Sequence, residues 1–315
     1  MVEVRLGLIF FLWMMSAAGG LTPSAAAAPE VAIAPGESAK IVMDEKAGAF
    51  RRSYVLHVPK GYDGEPRPLV VALHGGVATA RILEKQTAFS ALADEHGFFV
   101  VYPNGMGIFS LLRHWNGGFC CARAAEIGLD DVGFIDRVRG EVTAKYAIDP
   151  DRIYVVGYSN GGFLAYWYAA VRADQLAALG IWASSIGSFR SPERSWTMAR
   201  PVAPLPTFIA HGLDDKRLPF EASGGRGFQV LLGAVGSAEF WRDVNGCSEP
   251  PVVTEDGAVE RREWCADGAA PVTLMAIDGW GHEWPGPKRT AKKPPDDPLH
   301  DFHLAWEMWT FFSAL

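Results

Sequence analysis

The chain lacks clustered charge of either sign. Its 29 Lys and Arg are outnumbered by 36 Asp and Glu, giving a net charge of −7, and no run of like charges stands out. Nucleic acids and anionic membranes need clustered cations, so neither is expected as a main partner. It also lacks an apolar run of the roughly 20 residues that spanning a bilayer requires. The longest, Leu6 to Met15, follows Arg5 and precedes the small residues Ser16-Ala17-Ala18 and Ala25 to Ala28. That order reads as a secretory signal over residues 1–28, cleaved after Ala18 or near Ala27, with no membrane anchor remaining and export to a periplasm or the medium. Cysteine is sparse. The four present, Cys120, Cys121, Cys247 and Cys265, have no C-x-x-C spacing, so no metal site is expected. They suit an oxidising compartment. Cys247 and Cys265 flank a polar, hairpin-like segment, and a bridge between them would stabilise by about 3 kcal/mol through chain entropy. Cys120 and Cys121 could then form a vicinal bridge or stay reduced. No internal repeat is present.

Nearly half the residues are hydrophobic, so a substantial core can form. Residues 29–48, rich in Ala and Pro at their start, read as a linker, and 49–315 as a single domain. Short, continuously apolar runs mark strands buried on both faces of a parallel sheet: Leu69–Leu73, Phe98–Tyr102, Ile153–Val156, Ala178–Trp182, Thr207–Ala210 and Val272–Ile277. Phe50–Val58 alternates as an edge strand. Helical stretches lie between them: Ile82–His96, from Asp130 or Asp131 to Tyr146, Phe163–Val171 and Ser237–Asn245. In a last helix Phe302, Ala305, Trp306, Trp309 and Phe312 share one face. This α/β alternation implies a mostly parallel, doubly wound sheet with helices on both faces.

Ligands of such sheets bind beyond the carboxyl ends of the strands, and the chemistry of this chain gathers there. Ile153–Val156 runs into Gly157-Tyr158-Ser159-Asn160-Gly161-Gly162 and then a helix, the layout of a nucleophile elbow. The other strands end at His74-Gly75-Gly76, at His211-Gly212-Leu213-Asp214-Asp215 and at Asp278-Gly279-Trp280-Gly281-His282. Ser159 is the candidate nucleophile, His282 the base that takes its proton, and Asp215 the carboxylate that orients the imidazole, with Asp214 the alternative. The N–H groups of Asn160 and Gly76 are the candidate oxyanion donors, Gly75 being second choice to Gly76. His74 and His211 read as structural hydrogen-bonders, His57 and His96 as surface or helix-end residues. His300 and His303 follow no strand.

These motifs resemble a known family. L-H-G-G, Y-P-N-G, W-N-G-G-F-C-C, D-D-V-G-F, G-Y-S-N-G-G, H-G-x-D-D and G-H-E-W-P-G occur in the order seen in secreted poly(3-hydroxybutyrate) depolymerases and feruloyl esterases. The resemblance runs from about Arg51 to the C-terminus. It implies an α/β-hydrolase fold, no cofactor, and hydrolysis of carboxylic esters on hydroxyalkanoate oligomers or feruloyl-type esters through an acyl-enzyme. It assigns Ser159, Asp215 and His282 to the triad. By the same resemblance Trp284 would wall the acyl pocket, while Trp115 and Cys120-Cys121 would lie near the cleft. Tyr158, beside the nucleophile, is a further candidate substrate contact. Two departures, Trp280 between glycines and the apolar Phe109 to Leu112, would narrow or grease the cleft. A serine peptidase of the same fold and a catalytically silent binding protein are the rival readings.

Overall fold

The computed structural model describes residues 32–108, 111–118, 120–189, 195–221, 229–230, 232–266, 268 and 270–315. The signal-like segment, Phe109 and Phe119 lie outside these residues. The amino-terminal half comprises β1 (Ser38–Ala47), β2 (Phe50–His57), β3 (Arg67–Leu73), α1 (Ala80–Thr87), α2 (Phe89–His96) and β4 (Phe99–Pro103). Then follow a small hairpin, β5 (Met106–Ile108) and β6 (Leu111–His114), α3 (Ala122–Glu126), α4 (Asp131–Lys145), β7 (Ile148–Tyr158) and α5 (Asn160–Arg172). Beyond it lie β8 (Ala178–Trp182), β9 (Gly187–Phe189), β10 (Ser195–Thr197), β11 (Thr207–Gly212), β12 (Gln229–Val230) and α6 (Gly233–Asn245). The chain closes with β13 (Val252–Asp256), β14 (Val259–Trp264), β15 (Val272–Ile277), α7 (Pro287–Thr290) and α8 (Leu304–Ser313).

Ten strands form one sheet in the order β1-β2-β4-β3-β7-β8-β11-β15-β14-β13. The inner strands from β4 to β15 are parallel, and an antiparallel pair extends each edge. Period-2 alternation divides the core cleanly. Leu69, Val71 and Leu73 of β3 pack with Val155 of β7 and with α4, α5 and α6. Val70 and Ala72 pack with Tyr154, Val156, α1, α2 and α8 on the other face. The carboxyl ends of β3, β7, β11 and β15 are thereby fixed side by side, and the loops that leave them meet. No helix among the described residues is long and apolar enough to cross a membrane.

Several sequence expectations need correction. Residues 38–47, read as linker, form the edge strand β1 paired with β2. Its charges, Lys40, Asp44, Glu45 and Lys46, are tolerated because an edge strand buries little; only Met43 and Ala47 turn fully inward. Ile82–His96 is two helices, broken at Ala88, whose φ of 58° is left-handed and whose N–H caps Glu84 O. His57 is buried, bridging Ser38 Oγ and Asp94 Oδ1 at 2.9 Å each. On α8, Ala305, Trp309 and Phe312 are buried but Trp306 is 47% exposed. Cys247 and Cys265 are bridged, with Cα atoms 5.4 Å apart across the β13–β14 hairpin. Cys120 and Cys121 are bridged to each other.

Candidate active site

Ser159 sits between β7 and α5 with φ 53° and ψ −116°, a conformation that costs a non-glycine residue on the order of 1–3 kcal/mol. It is over-determined by its surroundings. Its N–H donates to Trp182 O at 3.0 Å, and its carbonyl accepts from Gly162 N at 2.8 Å, Phe163 N at 3.1 Å and Ser184 Oγ at 3.1 Å. The glycines of the motif are required sterically. A Cβ on Gly157 would stand 2.6 Å from Ala165 Cβ, one on Gly162 2.5 Å from Ser184 Cβ, and one on Gly161 would strike the Leu73 and His74 carbonyls.

The structure brings Ser159, His282 and Asp215 into one hydrogen-bonded line. His282 Nε2 is 2.9 Å from Ser159 Oγ, and His282 Nδ1 is 2.7 Å from Asp215 Oδ2. Because a carboxylate only accepts, Nδ1 carries the proton, and in the neutral ring the Nε2 lone pair faces the serine hydroxyl. The His282 carbonyl accepts from Trp182 Nε1 at 3.0 Å, which holds the loop that carries the ring. Asp215 is buried. Burial would raise its carboxyl, but hydrogen bonds from His211 and His282 and from the Leu218 N–H outweigh that and hold it well below the usual carboxylate range. Its second oxygen accepts from Arg217 N at 2.7 Å and Leu218 N at 3.0 Å. An ionised carboxylate held by three hydrogen bonds, with His211 Nε2 a further 3.4 Å away, is suited to orienting an imidazole and stabilising an imidazolium. Asp214, the alternative, is exposed, and its N–H donates to Trp280 O. His211 is fully buried and donates to Leu218 O at 2.6 Å, a structural role as expected from its position.

Gly76 and Asn160 meet beside the serine. A Cβ on Gly76 would lie 3.7 Å from Asn160 Cβ, and one on Gly75 3.5 Å from Ser159 Cβ. Asn160 opens α5, so its N–H has no acceptor within the helix. The Gly76 N–H makes no hydrogen bond among the described residues; the next two N–H groups of that loop donate to Arg113 O and Gly75 O.

Two of the three expected substrate contacts, Trp115 and Trp284, are buried, while Tyr158 stays beside His282. Trp115 is fully buried, so it cannot wall a cleft. Instead its backbone clamps the Asn160 side chain, N to Oδ1 at 2.8 Å and O to Nδ2 at 3.1 Å, while its Nε1 donates to His74 O at 2.9 Å. Trp284 is only 2% exposed and forms core beneath Tyr158, Trp182 and Phe89. Its bulk packs against Tyr158, whose ring in turn lies beside His282. Tyr158 is half-buried with its ring 5.6 Å from that of His282, and burial pushes its hydroxyl up to about 12, so it stays neutral. Trp280 is also buried, its Nε1 donating to Glu283 O, and does not narrow the cleft. The vicinal disulfide stands on a loop held to this frame, Cys121 N donating to Trp115 O at 3.1 Å. Sequence reasoning missed His114, whose ring lies against Gly76, and the anchoring roles of Trp182 and Ser184. The motif W-N two residues after a basic residue carried no sign of which side chain faced out.

Comparison with known proteins finds esterases. Residues 52–192 match the family described as esterase PHB depolymerase. The protein named putative esterase NocK, from Nocardia uniformis subsp. tsuyamanensis, is 28% identical over 258 residues, covering 75% of this chain and 71% of that protein. Feruloyl esterase B of Piromyces equi is 30% identical over 243 residues, 73% of this chain; the chain spans 42% of that relative's length. Among solved structures, an acetyl xylan esterase from Aspergillus awamori superposes with a TM-score of 0.57 at 16% identity, covering 79% of this chain and 94% of that one, a likeness of fold. By its motifs and these relatives, the chain is similar to serine esterases of the esterase PHB depolymerase family, and its sheet has the α/β-hydrolase fold.

Proposed function

We propose that the chain hydrolyses esters of hydroxyalkanoate oligomers or of feruloyl-type aromatic acids through an acyl-enzyme on Ser159. The observation that carries the reading is the continuous relay from Ser159 Oγ through His282 to a buried, ionised Asp215, with spans of 2.9 and 2.7 Å. Ser159 Oγ attacks the ester carbonyl carbon as His282 Nε2 takes its proton, and the carbonyl oxygen becomes an oxyanion received by the Asn160 and Gly76 N–H groups. Asp215 stabilises the imidazolium without taking the proton. Collapse breaks the carbon–oxygen bond, the leaving alkoxide receives the proton from His282, and the acyl group stays on Ser159. Water, deprotonated by the same imidazole, then attacks the acyl carbon and releases the acid and the free serine.

Feruloyl and hydroxyalkanoate esters are proposed because the relatives' names span both chemistries. A fluorophosphonate should label Ser159, located by mass spectrometry, and Ser159→Ala and His282→Ala should abolish turnover in folded protein. Labelling elsewhere, or persistent turnover in Ser159→Ala, would refute the assignment. Release rates from hydroxybutyrate oligomers, methyl ferulate and peptide amides decide the acyl class and test the peptidase reading. We also propose export, a reading supported by the Cys247–Cys265 disulfide; an unprocessed amino terminus on the protein from its native host would overturn it.

A further inference from the structure

We infer that His114 forms a hydrogen-bonding subsite beside the oxyanion hole that accepts from a substrate hydroxyl close to the scissile carbonyl. Strand β6 runs along the Gly76–Ala78 loop, with Val77 N donating to Arg113 O at 2.8 Å and Ala78 bridged to Arg113. That pairing sets the ring of His114 on Gly76: a Cβ there would lie 3.2 Å from Cδ2 and 3.4 Å from Nε2. The next residue, Trp115, holds the Asn160 side chain. His114 therefore stands against one candidate oxyanion donor and one residue from the clamp on the other.

The tautomer follows from one contact. Nδ1 lies 3.0 Å from Leu112 O, which only accepts, so Nδ1 carries the proton. In the neutral ring Nε2 is then a bare acceptor, half-buried and without a partner among the described residues. A lone pair beside an oxyanion hole would repel the developing negative charge unless a donor lies between them. The Gly76 N–H must stand within about 3 Å of the oxyanion, and Nε2 lies 3.4 Å from where a Gly76 Cβ would be, so the ring is within a short side chain's reach of the carbonyl. A hydroxyl three or four bonds from the carbonyl carbon is close enough to reach Nε2. The neighbouring surface is apolar, Val77 being 57% and Leu112 56% exposed, so His114 supplies its polar contact. The hydroxyl could belong to the acyl chain or to the alcohol.

The subsite rests on the proposed roles of Ser159 and Gly76, and the test separates the two readings. Values of kcat/KM are compared within two substrate pairs, methyl 3-hydroxybutyrate against methyl butyrate and 2-hydroxyethyl butyrate against ethyl butyrate. The wild-type protein should favour the hydroxylated member of one pair by about tenfold, and that pair names the source of the hydroxyl. His114→Phe should bring this ratio to about one, while His114→Gln, which keeps an acceptor, should retain most of it. His114→Leu serves if the phenylalanine variant fails to fold. A wild-type protein with no preference in either pair overturns the subsite. So does a variant in which both members of a pair fall by the same factor. If fluorophosphonate labels Ser159 of such a wild-type protein, only the His114 subsite fails; if it does not, the underlying assignment fails too.

Discussion

Replacing Trp115 by Phe tests whether the oxyanion hole is held from beneath. Phe keeps most of the ring and the backbone clamp on Asn160 but removes the indole N–H that donates to His74 O at 2.9 Å. That carbonyl is shut inside the protein, and leaving it unpaired costs about 1–3 kcal/mol. The smaller ring, in a fully buried site against Phe134 and His74, adds about 1–2 kcal/mol. With roughly 2–4 °C per kcal/mol for a domain of this size, the melting temperature should fall by about 4–20 °C. The catalytic effect is separable. His74 directly precedes Gly75 and Gly76, so freeing its carbonyl loosens one donor while the Asn160 donor stays clamped. Outright loss of a donor costs about 100- to 1,000-fold, and a displaced donor should cost about tenfold in kcat with KM little changed. The assay is steady-state kinetics on p-nitrophenyl butyrate well below the variant's melting point, paired with the affinity of a phenylboronic acid that mimics the tetrahedral intermediate. A lower melting temperature with unchanged kcat and boronate affinity would show that Trp115 is core and positions nothing.

Three further outcomes follow from buried groups. His74 Nδ1 donates to Gly75 O and Nε2 accepts from Gly105 N, and burial pushes its imidazole down to about 3. The unfolded chain, with a pKa near 6.5, therefore binds the proton that the folded chain refuses. Stability should be full above about pH 6.5 and fall by up to about 1.4 kcal/mol per pH unit toward pH 3; urea unfolding of His74→Gln should show a shallower slope, and an equal slope would refute the account. Asp131→Asn leaves the Arg52 guanidinium buried without its countercharge and should cost about 3–5 kcal/mol by denaturant titration, whereas Arg52→Met with Asp131→Leu should recover much of that. Removing the 247–265 bridge as Cys247→Ala/Cys265→Ala should cost about 3 kcal/mol, read as a fall of roughly 6–12 °C in melting temperature, and an unchanged melt would contradict the loop-closure argument.

What could be read from the chain was whatever two independent regularities marked. Central strands announced themselves because burial on both faces demands runs such as Leu69–Leu73 and Val272–Ile277. The chemistry was legible because a doubly wound sheet delivers its loops to one rim, so each residue following a strand became a candidate by position alone. The break at Ala88 had no such mark. Alanine favours a helix, and only the tertiary demand that α2 turn toward β4 places it in the left-handed region. β1 hid for the opposite reason, since an edge strand can carry alternating charges and still pair. Trp115 shows a further limit. A tryptophan in a loop near the motif could face substrate or core with the same sequence, and its partners lie 41 and 45 residues away in the chain.

Those distant partners explain why a loop of this chemistry can be stiff. Arg52 of β2 reaches Asp131 Oδ1 at 2.6 Å, Asp131 Oδ2 accepts from Asn116 N at 2.8 Å, and the neighbouring Trp115 grips Asn160. Arg52 is stacked 3.5 Å from the Phe134 ring centre, and two of its nitrogens find no hydrogen-bond partner among the described residues. As a source of stability such an ion pair is a poor choice, because desolvation cancels most of its attraction. Its geometric effect is different in kind. A hydrophobic filling would let the 115–118 loop settle in several packings of similar energy, whereas a charged, bidentate-capable group and a carboxylate bound to one particular N–H admit a single register. The oxyanion donors need placement to within about half an ångström, far finer than apolar packing of a loop supplies. On this argument the double replacement Arg52→Met/Asp131→Leu should leave a stable protein whose kcat is lowered while KM holds. A double variant with wild-type kcat would mean that the apolar packing around Trp115 suffices to set the donors.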